Sequence, residues 1–148
     1  MKAKHGFTLV EILIVVVILG ILAAMVIPVF GQVTTEAKTS ALASNLQKIR
    51  LQIILYKTNH IDLLPGNGTG SSPASFEQSL LGKTDLFGNT IATGRFGPYL
   101  ERMPINSFNG LNTVRIDGAA PGANSDGWRF NSANGDFRAD DSNDHAQL

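Results

Sequence analysis

No cysteine occurs in the 148 residues. A disulfide framework is therefore excluded, and so is thiolate chemistry of any kind, nucleophilic, redox or metal-binding. Charge is sparse as well. Only 16% of the side chains are Asp, Glu, Lys or Arg, and twelve of each sign cancel to a formal net charge of zero. A chain so balanced has no overall field with which to hold nucleic acid. The histidines are His5, His60 and His145, and none belongs to a metal-spaced or triad-like group. The glycine-rich stretch from Gly66 to Gly70 is followed by no lysine and is not bracketed by a strand and a helix, so it reads as a surface loop and not a phosphate cradle. Nothing in the chain has the make-up of a catalytic site.

What the sequence does have is an uninterrupted apolar run from Ile12 to Ile27, preceded by Lys2, Lys4, His5, Gly6 and then Phe7-Thr8-Leu9-Val10-Glu11. As a helix, Phe7 to Phe30 would be ~36 Å long at ~1.5 Å per residue, enough for a hydrocarbon core of ~30 Å. The β-branched residues Val15, Val16, Val17 and Ile18 are poor helix formers in water. In lipid a lone spanning segment satisfies its backbone only as a helix. A secretory signal peptide would end at a small-residue cleavage site, but here the run passes Ala23 and Ala24 and continues through Met25, Val26 and Ile27. A plain signal anchor explains the length and the lysines on the cytoplasmic side. It leaves Glu11 unexplained, a carboxylate that costs on the order of 3 kcal/mol at bilayer depth unless it finds a partner.

The segment Gly6-Phe7-Thr8-Leu9-Val10-Glu11 resembles the signature of type IV pilins and of type II secretion pseudopilins. The resemblance implies a leader of residues 1–6 that a prepilin peptidase cuts between Gly6 and Phe7, and N-methylation of the new terminus at Phe7. It implies a transmembrane and assembly helix over residues 7–30 and a pilin-like domain over residues 31–148. Removing Lys2 and Lys4 would leave ten basic against twelve acidic side chains, near −2. Glu11 has two readings. It can accept hydrogen bonds from amides of its own first helical turn or snorkel to the interface. Alternatively, as the resemblance implies, Glu11 of an incoming subunit pairs with the Phe7 ammonium of a neighbour. Gly20 and Pro28 are the residues least suited to a helix interior, and the resemblance makes this a segment that unwinds on assembly.

Beyond Gln32 helical spacing persists. Leu42, Leu46, Ile49, Ile53 and Tyr56 recur in steps of four and three, which predicts an amphipathic helix to about Thr58. Leu51, Ile54 and Leu55 are expected to widen its apolar face for packing on a sheet. Asn59-His60 and Pro65-Gly66 end the helix, with His60 near the last carbonyls. A loop follows over residues 66–73, then a short helix from Ser75 to Leu81. Strands are predicted at Leu111–Asp117, at 127–131 and at 136–139, the last two joined by a turn through Asn134-Gly135. The sheet should be antiparallel, of three strands, with Trp128 and Phe130 on its core face. Residues 140–148 read as a frayed polar tail. The expected fold class is α+β and pilin-like, one long N-terminal helix packed on a small antiparallel sheet.

Further residues, Tyr56, His60, Pro65, Gly97-Pro98-Tyr99-Leu100, Pro104, Asn106, Phe108 and Asn109, are similar to those of a pseudopilin-type family of secretion-like systems. Many type IV pilins carry a C-terminal disulfide loop, which this chain cannot form, so the resemblance inclines toward a pseudopilin. The implied function is a structural subunit of a type IV pilus-like filament in a type II secretion system, moving proteins across the outer membrane. The alternative is a type IV pilin of an adhesion or DNA-uptake pilus. Arginines 95, 102, 115, 129 and 138 gathered on one face would favour that alternative, and dispersed arginines the structural subunit. Implied partners are other pilin-like subunits, the prepilin peptidase, an inner-membrane assembly platform and inner-membrane lipid, with the globular domain in the periplasm. Asp126, Asp136, Asp140, Asp141, Asn143 and Asp144 offer oxygen ligands of the kind calcium takes. Major pseudopilins hold calcium in a C-terminal loop, and these residues read either as such a site or as a solvated acidic tail.

Overall fold

The computed structural model describes residues 8–69 and 75–148, with the side chains of 25–33 excepted. The chain divides into two units, Met1–Lys38 and Thr39–Leu148. Helix α1 is Leu9–Asn59 and α2 is Phe76–Leu81. Three short strands follow, β1 (Val114–Ile116), β2 (Trp128–Phe130) and β3 (Phe137–Ala139), and a 3-10 turn covers His145–Gln147.

In the first unit, the side chains of α1 from Leu9 to Ala24 are exposed. Among the described residues no helix is long and apolar enough to cross a membrane. The remainder of the expected anchor, including Pro28, lies outside the residues whose side chains are described.

The second unit is built on the stripe that the spacing predicts. Leu42, Leu46, Ile49 and Tyr56 are fully buried and Ile53 is nearly so. They share one core with Phe76 and Leu80 of α2 and with Trp128, Phe130, Phe137 and Ala139 of the sheet. Leu51, Ile54 and Leu55 do not widen that face. They remain 63%, 60% and 47% exposed, because at ~100° per residue they lie on the side of α1 opposite the stripe. The helix ends as Ile61 and Asp62 enter the left-handed region at φ 52° and 65°. The Asp62 amide then closes back on the Lys57 carbonyl at 3.1 Å, the closure that satisfies a helix's last carbonyls. Ser75 caps α2 in a reciprocal pair with Gln78, which holds the start of this six-residue helix.

The fold class is α+β, as expected, but the sheet is mixed and not antiparallel. β1 pairs parallel to β2 with Arg115 opposite Arg129, while β2 and β3 are antiparallel with Phe130 opposite Phe137. Three-residue strands are short enough for the segment 117–127 to return the chain to the start of β2. The predicted hairpin between β2 and β3 is present. Asn131 and Asp136 close it at 2.9 Å, and of its Asn-Gly pair only Gly135 takes positive φ, at 79°. A β-carbon at Gly135 would also meet Leu64 Cδ2 at 2.7 Å.

His60 is fully buried. Its ring stacks on Tyr56 at 3.8 Å and lies 5.0 Å from Phe96. Nδ1 sits 2.8 Å from the Tyr56 carbonyl, which can only accept, so Nδ1 carries the proton and Nε2 accepts from the Thr84 hydroxyl at 2.8 Å. Burial pushes the imidazole pKa below its ordinary value, opposed in part by the Tyr56 carbonyl and by Asp85. As pH falls below about 6.5 the unfolded chain therefore gains that proton before the folded chain does. Stability from this site is complete above that pH and is lost progressively as pH falls from it toward the lower folded value. The melting temperature should drop between pH 7.5 and 5.5, and His60→Gln should flatten that drop. An equal slope in the variant would count against the assignment.

Candidate functional site

Two parts of the chain were singled out by sequence, the head of α1 and the C-terminal aspartates. At the head, Thr8 precedes the first helical residue, and Glu11 is the third residue of the helix. The Glu11 carboxylate accepts from the Thr8 amide at 2.8 Å and from the Thr8 hydroxyl at 2.9 Å, and the Glu11 amide donates to that hydroxyl oxygen at 3.2 Å. This is a capping box: each residue satisfies an amide that a helix start leaves without an intrahelical acceptor. The local reading of Glu11 is thus realised within a single chain, and Thr8 is the partner that sequence reasoning passed over. A Thr-x-x-Glu spacing ahead of an apolar run was the available signal. Gly6 and Phe7, the expected cleavage point and methylation site, lie outside the described residues.

The aspartates do not converge. Among the described residues no group of three or more His, Cys, Asp or Glu is placed to hold a metal ion. Asp136 pairs with Arg138 at 2.7 Å, and Asp126 accepts from the Ser125 hydroxyl at 3.1 Å. Asp141 accepts from Asn106 Nδ2 at 2.7 Å and pairs with His145 Nδ1, whose ring lies 4.0 Å from that of Phe108. Asp140 is fully buried. One of its oxygens faces Arg115 Nη2 at 2.5 Å and the amides of Gly122 and Ala123 at 3.1 and 3.3 Å. The other faces Arg115 Nε at 3.4 Å, the Ser125 hydroxyl at 3.1 Å and the Asp126 amide at 3.3 Å. A cation needs acceptors, and the groups that bond this carboxylate are donors, so Asp140 does not fit calcium. Burial alone would raise the Asp140 pKa, but Arg115, Ser125 and the Asp126 amide together hold it below the usual carboxylate range.

Nor is the tail frayed. Ala146 is buried, Arg138 Nη1 donates to its carbonyl at 2.8 Å, and Arg50 Nη1 reaches the Leu148 carbonyl at 2.9 Å. Composition suggested a solvated end, whereas the nearby Arg138 and the distant Arg50 supply its partners. Three of the five arginines are gathered, and those three are already engaged within the chain. Arg115, Arg129 and Arg138 form a row across the three strands, on the face opposite Trp128 and Phe130. Like charges so placed repel, and each is drawn to an internal acceptor: Arg115 to Asp140, Arg138 to Asp136, and Arg129 to the Ala119 carbonyl at 2.8 Å. Arg95 lies over the Phe96 ring, and Arg102 lines a cleft with Lys48. The residues that carried the second resemblance serve the fold. Tyr56, His60 and Tyr99 form one aromatic cluster. Asn106 and Asn109 donate to the carbonyls of Gly127 and Asp126.

Residues 1–27 match the family model of the prokaryotic N-terminal methylation motif. The chain is 39% identical over 59 residues to type II secretion system core protein G of Pseudomonas aeruginosa, covering 40% of this chain and 42% of that protein. It is 36% identical over 72 residues to a fimbrial protein of Neisseria meningitidis, covering 49% and 42% of the two. With type IV major pilin protein PilE1 of Neisseria gonorrhoeae it shares 35% identity over 80 residues, covering 54% and 48%. The chain thus spans less than half the length of these relatives. No solved structure matches. Over its N-terminal part, therefore, the chain is similar to a type II secretion core protein and to type IV pilins, and it carries their N-terminal methylation motif.

Proposed function

We propose that this chain is a structural subunit of a type IV pilus-like filament, and more closely a pseudopilin of a type II secretion system. The observation that carries the reading is the N-terminal methylation motif over residues 1–27, with its carboxylate at the third position of the helix. Residues 1–6 are the leader, residues 7–30 the membrane-stored assembly helix, and residues 31–148 the domain beyond the membrane. A prepilin peptidase cuts between Gly6 and Phe7, and the new Phe7 amine is methylated. The subunit waits in the inner membrane and is drawn by an assembly platform into a filament with itself and other pilin-like subunits. The similarity to a type II secretion core protein and the absence of cysteine favour the pseudopilin over an adhesion or DNA-uptake pilin.

Processing tests this reading. In cells that contain a prepilin peptidase, intact-mass analysis of the membrane fraction should find the wild-type chain without residues 1–6. The Gly6→Glu chain should keep them, because a bulky charged side chain would occupy the site where the peptidase meets a small residue. A wild-type chain that keeps its leader in such cells would end the pilin reading.

A further inference from the structure

Arg115 projects from the middle of β1 on the side away from the core, into the segment that links β1 to β2. That segment is irregular: Asp117, Gly118, Gly122 and Asn124 all take positive φ, at 56°, 75°, 94° and 55°. A loop with so many left-handed residues needs specific partners to hold one shape. Its oxygens supply one set. The guanidinium donates through Nη1 to the carbonyls of Asp117 and Ala119 at 3.1 and 2.8 Å, and through Nη2 to the Ala120 carbonyl at 3.2 Å. It also donates to the buried carboxylate of Asp140. Three carbonyls and a carboxylate around one positive centre form the kind of oxygen cage that a hard divalent cation takes. Here the centre is a side chain of the protein itself.

We propose that Arg115 is the built-in cation of this loop. It fills an oxygen cage made by Asp117, Ala119, Ala120 and Asp140, so that the C-terminal part of the domain folds and holds its shape without a bound metal. Asp140 completes the arrangement from the other side. Its two oxygens accept from the amides of Gly122, Ala123 and Asp126 and from the Ser125 hydroxyl, so the loop is closed on both charges of one ion pair. The Asn124 amide bonds to the Asp140 carbonyl, which ties the same loop to the end of β3. A guanidinium suits the role because its planar fork donates in several fixed directions at once, as an ammonium cannot. The pair is deeply placed, with the Asp140 side chain fully buried and that of Arg115 18% exposed. Removing either partner leaves the other charge without compensation. The inference is independent of the filament reading, since it concerns only how the domain is held.

The test uses the full chain in detergent micelles, with thermal unfolding measured in excess chelator and in millimolar calcium. The wild-type melting temperature should be the same in both. Arg115→Met and Asp140→Asn should each lower it by on the order of 10 °C. Two results would each overturn the proposal: a wild-type melting temperature that calcium raises by several degrees, or an Arg115→Met chain that melts with the wild type. Should Arg115→Met not fold, Arg115→Lys makes the same distinction. A lysine can pair with Asp140 but cannot hold all three carbonyls, so limited proteolysis between residues 117 and 126 should become faster while the α1 stripe stays protected. Unchanged cleavage of that loop in Arg115→Lys would count against the cage.

Discussion

A chain carrying Glu11→Ala is expected to enter the membrane and lose residues 1–6 normally, and yet to yield no filament. Insertion should be undiminished, because the substitution removes a carboxylate that costs on the order of 3 kcal/mol at bilayer depth. Cleavage should survive because Lys2, Lys4, Gly6 and Phe7 are untouched. Within one chain the carboxylate closes a capping box with Thr8, and losing such a cap costs only about 1 kcal/mol. Between chains, in the proposed filament, it pairs with the Phe7 ammonium of a neighbour, and one-sided loss of a buried pair costs ~3–5 kcal/mol at every subunit.

The box itself supplies the control. Thr8→Ala removes the hydroxyl side of the cap and keeps the carboxylate, so it should reduce filament yield little. Glu11→Gln should fall between wild type and Glu11→Ala, keeping a hydrogen bond but not the charge. Filament yield is scored beside membrane-fraction level and N-terminal mass. If Glu11→Ala and Thr8→Ala behave alike, Glu11 is a local cap and the assembly contact is wrong.

Trp128→Ala should destabilise the domain more than any surface change. Trp128 opens the middle strand, is fully buried, and lies 5.7 Å from the Phe137 ring. Its Nε1 donates to the Pro104 carbonyl at 2.8 Å. Truncating a core aromatic costs about 3–5 kcal/mol, and the stranded carbonyl adds to that. Domains of this kind are stable by only ~5–15 kcal/mol, so much of the margin would go. Trp128→Phe, which keeps a ring and loses the donor, should cost less. Leu51→Ala, on the exposed side of α1, should change stability by less than about 0.5 kcal/mol. Urea unfolding of the full chain in micelles measures all three, and a Trp128→Ala midpoint equal to that of Leu51→Ala would contradict the core described above.

What the sequence determined by itself was set by short spacing. The stripe Leu42, Leu46, Ile49, Ile53 and Tyr56 follows from the helix period, and the burial of Trp128 with Phe130 from the strand period. The short helix ending at Leu81 and the turn through Gly135 follow from local chemistry, and the N-terminal motif is a contiguous string. The tertiary structure decided what depends on residues far apart in the chain. Leu51, Ile54 and Leu55 are as apolar as the stripe and lie opposite it by the helix period. They stay exposed because the sheet, which begins at Val114, packs on the stripe side alone. β1 was legible as a strand, but its parallel direction depends on how segment 117–127 returns, and that segment is held by Arg115 and Asp140 together. The aspartates looked like a tail or a calcium site because composition reports acceptors without their partners. The partners of the buried Asp140, and Asn106 beside Asp141, come from 14 to 35 positions away. Periodicity is a property of neighbours along the chain, whereas the pairing of buried charges depends on which distant donors the fold delivers.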